Sequence, residues 1–203
     1  MTPADISQRL DQNLGRVDNL VAQYNRSGKG RRDTHKTDVL RAAVVLLHAA
    51  LEDFIRSHLI ISITSFTGDT LDSYGFPTDD KRPQEKIKIS ELIQYGNEAI
   101  SDFINKSVRD RIERFETFNN PGDIKKALQK CRFDMNVINR HDFSILSEMI
   151  SRRHQIVHKA DRNENIGGRG NHPTVSIGGT TVDRYIKAVR AFKTLVENTA
   201  KVP

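Results

Sequence analysis

The stretch Ala42-Ala-Val-Val-Leu-Leu-His-Ala-Ala-Leu51 restricts what this chain can fold into more than any other. It lies within a predicted helix from about Asp38 to about Ile63, and its side chains are apolar nearly all round. Such a helix cannot leave one side in water. It belongs at the centre of a bundle, enclosed by helices that need an apolar stripe on one face only. It does not read as a membrane span, which needs roughly 18 uninterrupted apolar residues. His48 breaks the run, and Glu52 and Asp53 follow it.

The enclosing helices can be read from their spacing. Ile6, Leu10, Leu14, Val17, Val21 and Tyr24 recur at helical intervals and predict an amphipathic helix over Ile6–Tyr24. A long helix is predicted over Ser90–Phe118, with Leu92, Ile100, Phe103, Ile104, Val108, Ile112 and Phe115 as its buried face. Asn119-Asn-Pro-Gly-Asp123 stops it, and a short helix over Asp123–Gln129 follows. Two more helices are predicted over Asp142–Lys159 and Val182–Thr199, the last aligning Tyr185, Ile186, Val189, Phe192 and Val196. Gly68–Pro83 reads as a polar loop, and Gly-Gly within Val175–Val182 suits a small hairpin. Asn25–Asp33 is a basic loop with two readings, a solvated connection or a phosphate contact, and it lacks the spacing of a P-loop. Asn163–Asn171, rich in Gly and Asn, reads as loop. The expected architecture is all-α: an up-and-down bundle of four to five helices in a single domain, 1–203, with a β-hairpin before the last helix.

The 203 residues suffice for one hydrophobic core. A single cysteine, Cys131, cannot staple the chain to itself, and Met1–Arg9 has no apolar stretch of the kind a secretory leader needs. Both features predict a cytoplasmic protein. Lys and Arg number 32 against 26 Asp and Glu, a net charge of +6 that favours encounters with phosphate polymers.

The chemistry concentrates in Phe143–His158. At about 100° per residue, Ile145, Leu146, Met149, Ile156 and Val157 form one apolar stripe, with Ile150 close by. Arg153 falls in the middle of that stripe, Arg152 at its polar margin, and His154 and His158 on its edge. A buried arginine needs a paired charge or a route to water. Glu52 on the central helix is a candidate partner.

Arg153-His-Gln-Ile-Val-His158 matches the signature of HEPN domains: Arg, a polar residue, three more residues, then His. Arg152-Arg-His-Gln-Ile-Val-His-Lys-Ala-Asp-Arg-Asn163 resembles the RiboL-PSP-HEPN branch, and so does the earlier Leu40–Arg56. The resemblance implies a helical bundle that forms a homodimer, with two motif copies facing each other. It also implies metal-independent cleavage of RNA without a cofactor, as a toxin or phage-defence effector whose partner is an antitoxin or a defence-system protein. Arg153 and His158 would be catalytic, His154 would take the polar position, and Glu52 would support them. The chemistry suits the side chains. Histidine can move a proton near neutral pH, and arginine can stabilise a phosphorane-like transition state. Arg153 and His158 lie about 140° apart on one helix, so two copies would be needed for convergence. The alternative is a non-catalytic HEPN scaffold that binds RNA, a nucleotide or a protein.

Rival readings exist for single residues. His154 and His158 have the four-residue spacing of a helical zinc pair, but Gln155 stands where a zinc protease has its general-base Glu. His35, His48, His58, His141 and His172 read as isolated surface or core residues. Cys131 lies between Lys130 and Arg132, which would lower its pKa, or is a partly buried inert thiol.

Overall fold

The computed structural model describes residues 1–26, 34–76, 82, 84, 86–163 and 174–199. Most of the basic loop and of the Gly- and Asn-rich segment 163–171 therefore lie outside the described residues. Among the described residues there are nine α-helices, two 3₁₀ turns and no strand.

Helix α1 (Pro3–Arg26) buries Ile6, Leu10, Leu14, Val17 and Val21 on one face. Its first turn is closed reciprocally: Thr2 Oγ1 accepts from the Asp5 amide, and Asp5 Oδ2 accepts from the Thr2 amide. Helix α2 (Thr34–Ile61) is the central helix that its composition demands. Leu40, Ala43, Val44, Leu47, Leu51, Phe54, Ile55 and Leu59 are all buried. Arg9 near the start of α1 meets Asp53 at 2.8 Å and also bonds Ser57, so the two helices run antiparallel.

Two short helices, over Gly68–Tyr74 and Met135–Arg140, appear where sequence periodicity gave none. Helix α3 (Gly68–Tyr74), capped by Thr67, occupies the predicted polar loop and ends at Gly75, whose φ of 65° glycine adopts without strain. The long helix expected over Ser90–Phe118 is broken into α4 (Ile89–Leu92), a 3₁₀ turn (Ile93–Tyr95) and α5 (Ile100–Phe115). Gly96 closes the turn and Ala99 is extended, so the two helical pieces are out of phase. The predicted buried face splits with them. Phe103, Val108 and Ile112 enter the core, while Leu92, Ile100 and Ile104 are exposed.

Helix α6 (Pro121–Lys130) starts with Asn120 as its cap and Pro121 in its first turn. Helix α7 (Met135–Arg140) is capped by Asp134. Helix α8 (Ser144–Lys159) follows, with Asp142 accepting from the Ser144 amide. Helix α9 (Gly179–Thr199) seats Val182, Tyr185, Ile186, Val189, Phe192 and Val196 in the core. It begins at Gly179, so the second half of the expected Val175–Val182 hairpin is helix. Among the described residues the segment before it makes one bridge, Arg162 to Thr174. Helix α2 packs against α1, α5, α6, α8 and α9. Each fully buried Leu, Ile or Phe in that arrangement is worth about 1.5–3 kcal/mol in removal from water. No described helix is long and apolar enough to cross a membrane.

Candidate active site

Helix α8 outruns the core. Leu146, Met149 and Ile150 are buried in its first half, and Ile156 is only half covered. In the last two turns His154, Val157 and His158 are exposed. The helix ends in two consecutive left-handed residues, Ala160 (φ 48°) and Asp161 (φ 54°). A left-handed alanine costs about 1–2 kcal/mol, so something must hold the turn.

The holding group is a buried clasp. Asp161 is 1% exposed, and its Oδ2 accepts from Arg41 Nε at 2.6 Å and Arg152 Nη2 at 2.7 Å. Both arginines also donate to the Val175 carbonyl, at 3.0 and 2.9 Å, and the Val175 amide donates to the Asp161 carbonyl at 2.9 Å. The Asp161 amide closes the helix end on the Gln155 carbonyl. One carboxylate thus ties together the start of α2, the end of α8 and the segment leading to α9.

This arrangement corrects the helical-wheel expectation for the two arginines. Arg152, placed at the polar margin, is buried, and Arg153, placed at the centre of the stripe, is half-buried. The wheel assumes one constant covered side along the helix. Here the covered side rotates, because Arg41, Asp161 and Val175 enclose the flank of the last turns that carries Arg152.

The positive charge of Arg153 bears on His48 of α2. His48 is buried, and its Nδ1 lies 3.7 Å from Glu52 Oε2, longer than a hydrogen bond. Burial is the main cause that holds the His48 pKa below its ordinary value. Arg153 acts in the same direction, and Glu52 opposes it. Among the described residues Arg153 has no hydrogen bond or ion pair, so Glu52 is not the buried carboxylate partner that the sequence suggested for it. The imidazoles of His154 and His158 sit together, with ring centroids 4.5 Å apart and planes inclined at 44°.

The predicted residues therefore fall into two groups: Glu52 with Arg153 around His48, and His154 with His158 at the surface. No hydrogen bond joins Arg153 to His158 among the described residues, in keeping with their wide angular separation on one helix. The His154–His158 pair lacks a third ligand, since no cluster of three His, Cys, Asp or Glu is present among the described residues. Cys131 is not activated by Lys130: burial outweighs that charge and pushes its pKa up to about 12. A cleft of about 540 Å³ between α3 and α5 takes in none of these groups.

Sequence reading missed Arg41, Arg152, Asp161 and His48. The available signal was Arg41 itself. It opens the most apolar run of the chain, where a guanidinium needs a carboxylate. Which carboxylate it takes, 120 residues away, is a matter of tertiary packing.

A model of the RiboL-PSP-HEPN family matches residues 11–202 of the chain. No curated protein and no solved structure matches it.

Proposed function

The chain belongs to the RiboL-PSP-HEPN family, and from that premise we propose that it is a metal-independent endoribonuclease that works as a homodimer. One observation carries the reading. Of three arginines along the α2–α8 contact, Arg41 and Arg152 are locked on Asp161, while Arg153 is half-buried with no ion pair among the described residues. An unpaired guanidinium beside exposed histidines is arranged for a phosphate.

In the proposed reaction the RNA 2′-hydroxyl gives its proton to one His158 and its oxygen attacks the adjacent phosphorus. The bond from phosphorus to the 5′-oxygen breaks, and the departing oxygen takes a proton from the second copy's His158. Arg153 stabilises the extra charge on the equatorial oxygens. The products are a 2′,3′-cyclic phosphate and a 5′-hydroxyl. His154 stacks near His158 and orients it. Each chain supplies one Arg153 and one His158, which accounts for their failure to converge within a single copy. An RNase of this kind needs no cofactor and suits a toxin or defence effector.

The test is cleavage of an RNA pool and of matched DNA by the purified protein, with and without EDTA, beside Arg153→Ala, His154→Ala and His158→Ala. RNA should be cut and DNA spared, because DNA lacks the attacking hydroxyl. EDTA should leave the rate unchanged. Equal activity in His158→Ala and wild type would defeat the reading, and activity abolished by EDTA and restored by zinc would replace it with metal chemistry at His154 and His158.

A further inference from the structure

The buried imidazole of His48 has no role in the reaction above, yet it lies between the two helices that carry the site. It is 1% exposed, and neither Nδ1 nor Nε2 makes a hydrogen bond of good geometry among the described residues. Buried polar atoms are nearly always bonded, and an apolar side chain would fill this place in α2 at lower cost. Two charged groups bear on the ring. Glu52, one turn further along α2, brings Oε2 to 3.7 Å from Nδ1, and the charge of Arg153 on α8 also bears on it. The backbone of Phe118, in the segment after α5, is a weak hydrogen-bond partner of the ring and favours its protonated form.

Glu52 and Arg153 thus share a neighbour and yet are not paired with each other. A carboxylate and a half-buried guanidinium that bear on the same ring would gain by pairing. We propose that His48 is a positioning residue that holds the Glu52 carboxylate on α2 through its Nδ1–H and so keeps Arg153 open for an RNA phosphate. The distance of 3.7 Å exceeds a good N–H···O bond by well under 1 Å, and a small side-chain rotation closes it. A neutral ring can do this with its one N–H on Nδ1. A protonated His48 would add a buried positive charge beside Arg153, and both its burial and Arg153 itself oppose that. The inference rests on the endoribonuclease reading for its catalytic consequence, but its geometry can be tested separately.

The experiment is a double-mutant cycle with His48→Phe and Glu52→Gln, read as kcat/KM on an RNA oligonucleotide, with thermal melts beside it. His48→Phe should lower kcat/KM roughly tenfold in the wild-type background, within the range of coupling between neighbouring residues, and have little effect in the Glu52→Gln background. An equal loss in both backgrounds, or one that follows a lowered melting temperature, would overturn the proposal. A second arm needs no catalysis: NMR titration of the His48 ring in wild type, Glu52→Gln and Arg153→Ala. Its titration midpoint should fall in Glu52→Gln and rise in Arg153→Ala. A midpoint unmoved by both changes would also overturn it. If the wild type cuts no RNA, or cuts it without need of Arg153 and His158, the endoribonuclease reading fails instead, and the NMR arm alone decides whether His48 holds Glu52.

Discussion

At the scale of single residues, exposure separates the groups that can do chemistry from those that hold the fold. His158 is exposed, and Arg153 is half-buried with no ion pair among the described residues, so neither replacement breaks a described buried pair. His158→Ala and Arg153→Ala should each lower the RNA cleavage rate by roughly a hundredfold or more, the usual scale for losing acid–base or oxyanion help. Their melting temperatures should stay near wild type. His154→Ala should cost less, since its proposed role is to orient His158 rather than to transfer a proton. His58 is the opposite case. It is buried between Phe54 and Phe133, and burial lowers its pKa from 6.5 to about 4, with Glu197 opposing. The unfolded chain takes up that proton near pH 6.5 and the folded chain only near pH 4. Between those values the unfolded state holds more protons, so stability rises with pH and is lost as pH falls across the window. The shift corresponds to roughly 3 kcal/mol at 1.36 kcal/mol per unit. Urea denaturation from pH 7 down to pH 4.5 should show most of that loss in wild type and a flatter profile in His58→Phe. His48, also lowered by burial, leaves a residual slope of the same sign.

Among the elements, α8 depends on what receives its last turns. Its first half is held by apolar packing, and its end by the clasp of Asp161 with Arg41 and Arg152. Removing the shared carboxylate leaves two buried guanidinium groups without it. Asp161→Ala should therefore cost about 3–5 kcal/mol, the range for breaking a buried pair from one side. Chemical denaturation should register that loss. Under conditions where the variant remains folded, hydrogen exchange at the end of α8 should quicken and RNA cleavage should weaken, because the turn that follows His158 is no longer tied down. Unchanged stability in Asp161→Ala would show that the left-handed turn at Ala160 and Asp161 is held by its backbone alone. The break in the expected Ser90–Phe118 helix is an element-scale lesson of another sort. Gly96 and the extended Ala99 interrupt it, and the apolar residues at 89–100 end up on a face that the bundle does not cover.

The molecule as a whole presents one copy of a site whose proposed chemistry needs two histidines on opposite sides of a phosphate. Val157 is 47% exposed at the same end of α8 as His154 and His158, where a second copy would cover it. Sedimentation at micromolar concentration should give a homodimer. Val157→Asp should shift it toward monomer and lower RNA cleavage in parallel, roughly to the level of His158→Ala, since each active site would lose half its groups. A monomer with full activity would contradict the two-copy mechanism.

The sequence by itself determined the helical class, the central place of α2, the core faces of α1 and α9, and the motif residues Arg153, His154 and His158. These are local properties: a period of 3.6 residues, an apolar run and a short spacing all survive in one dimension. Tertiary structure alone decided which of two adjacent arginines is buried. Arg152 and Arg153 differ by one helical step, and the choice is made by Asp161, Arg41 and Val175, which reach that flank of α8 from other parts of the chain. It also decided that His48, isolated in the sequence, lies between Glu52 and Arg153. Burial and charge pairing depend on what arrives from distant segments, and no pattern within the helix itself encodes that arrival.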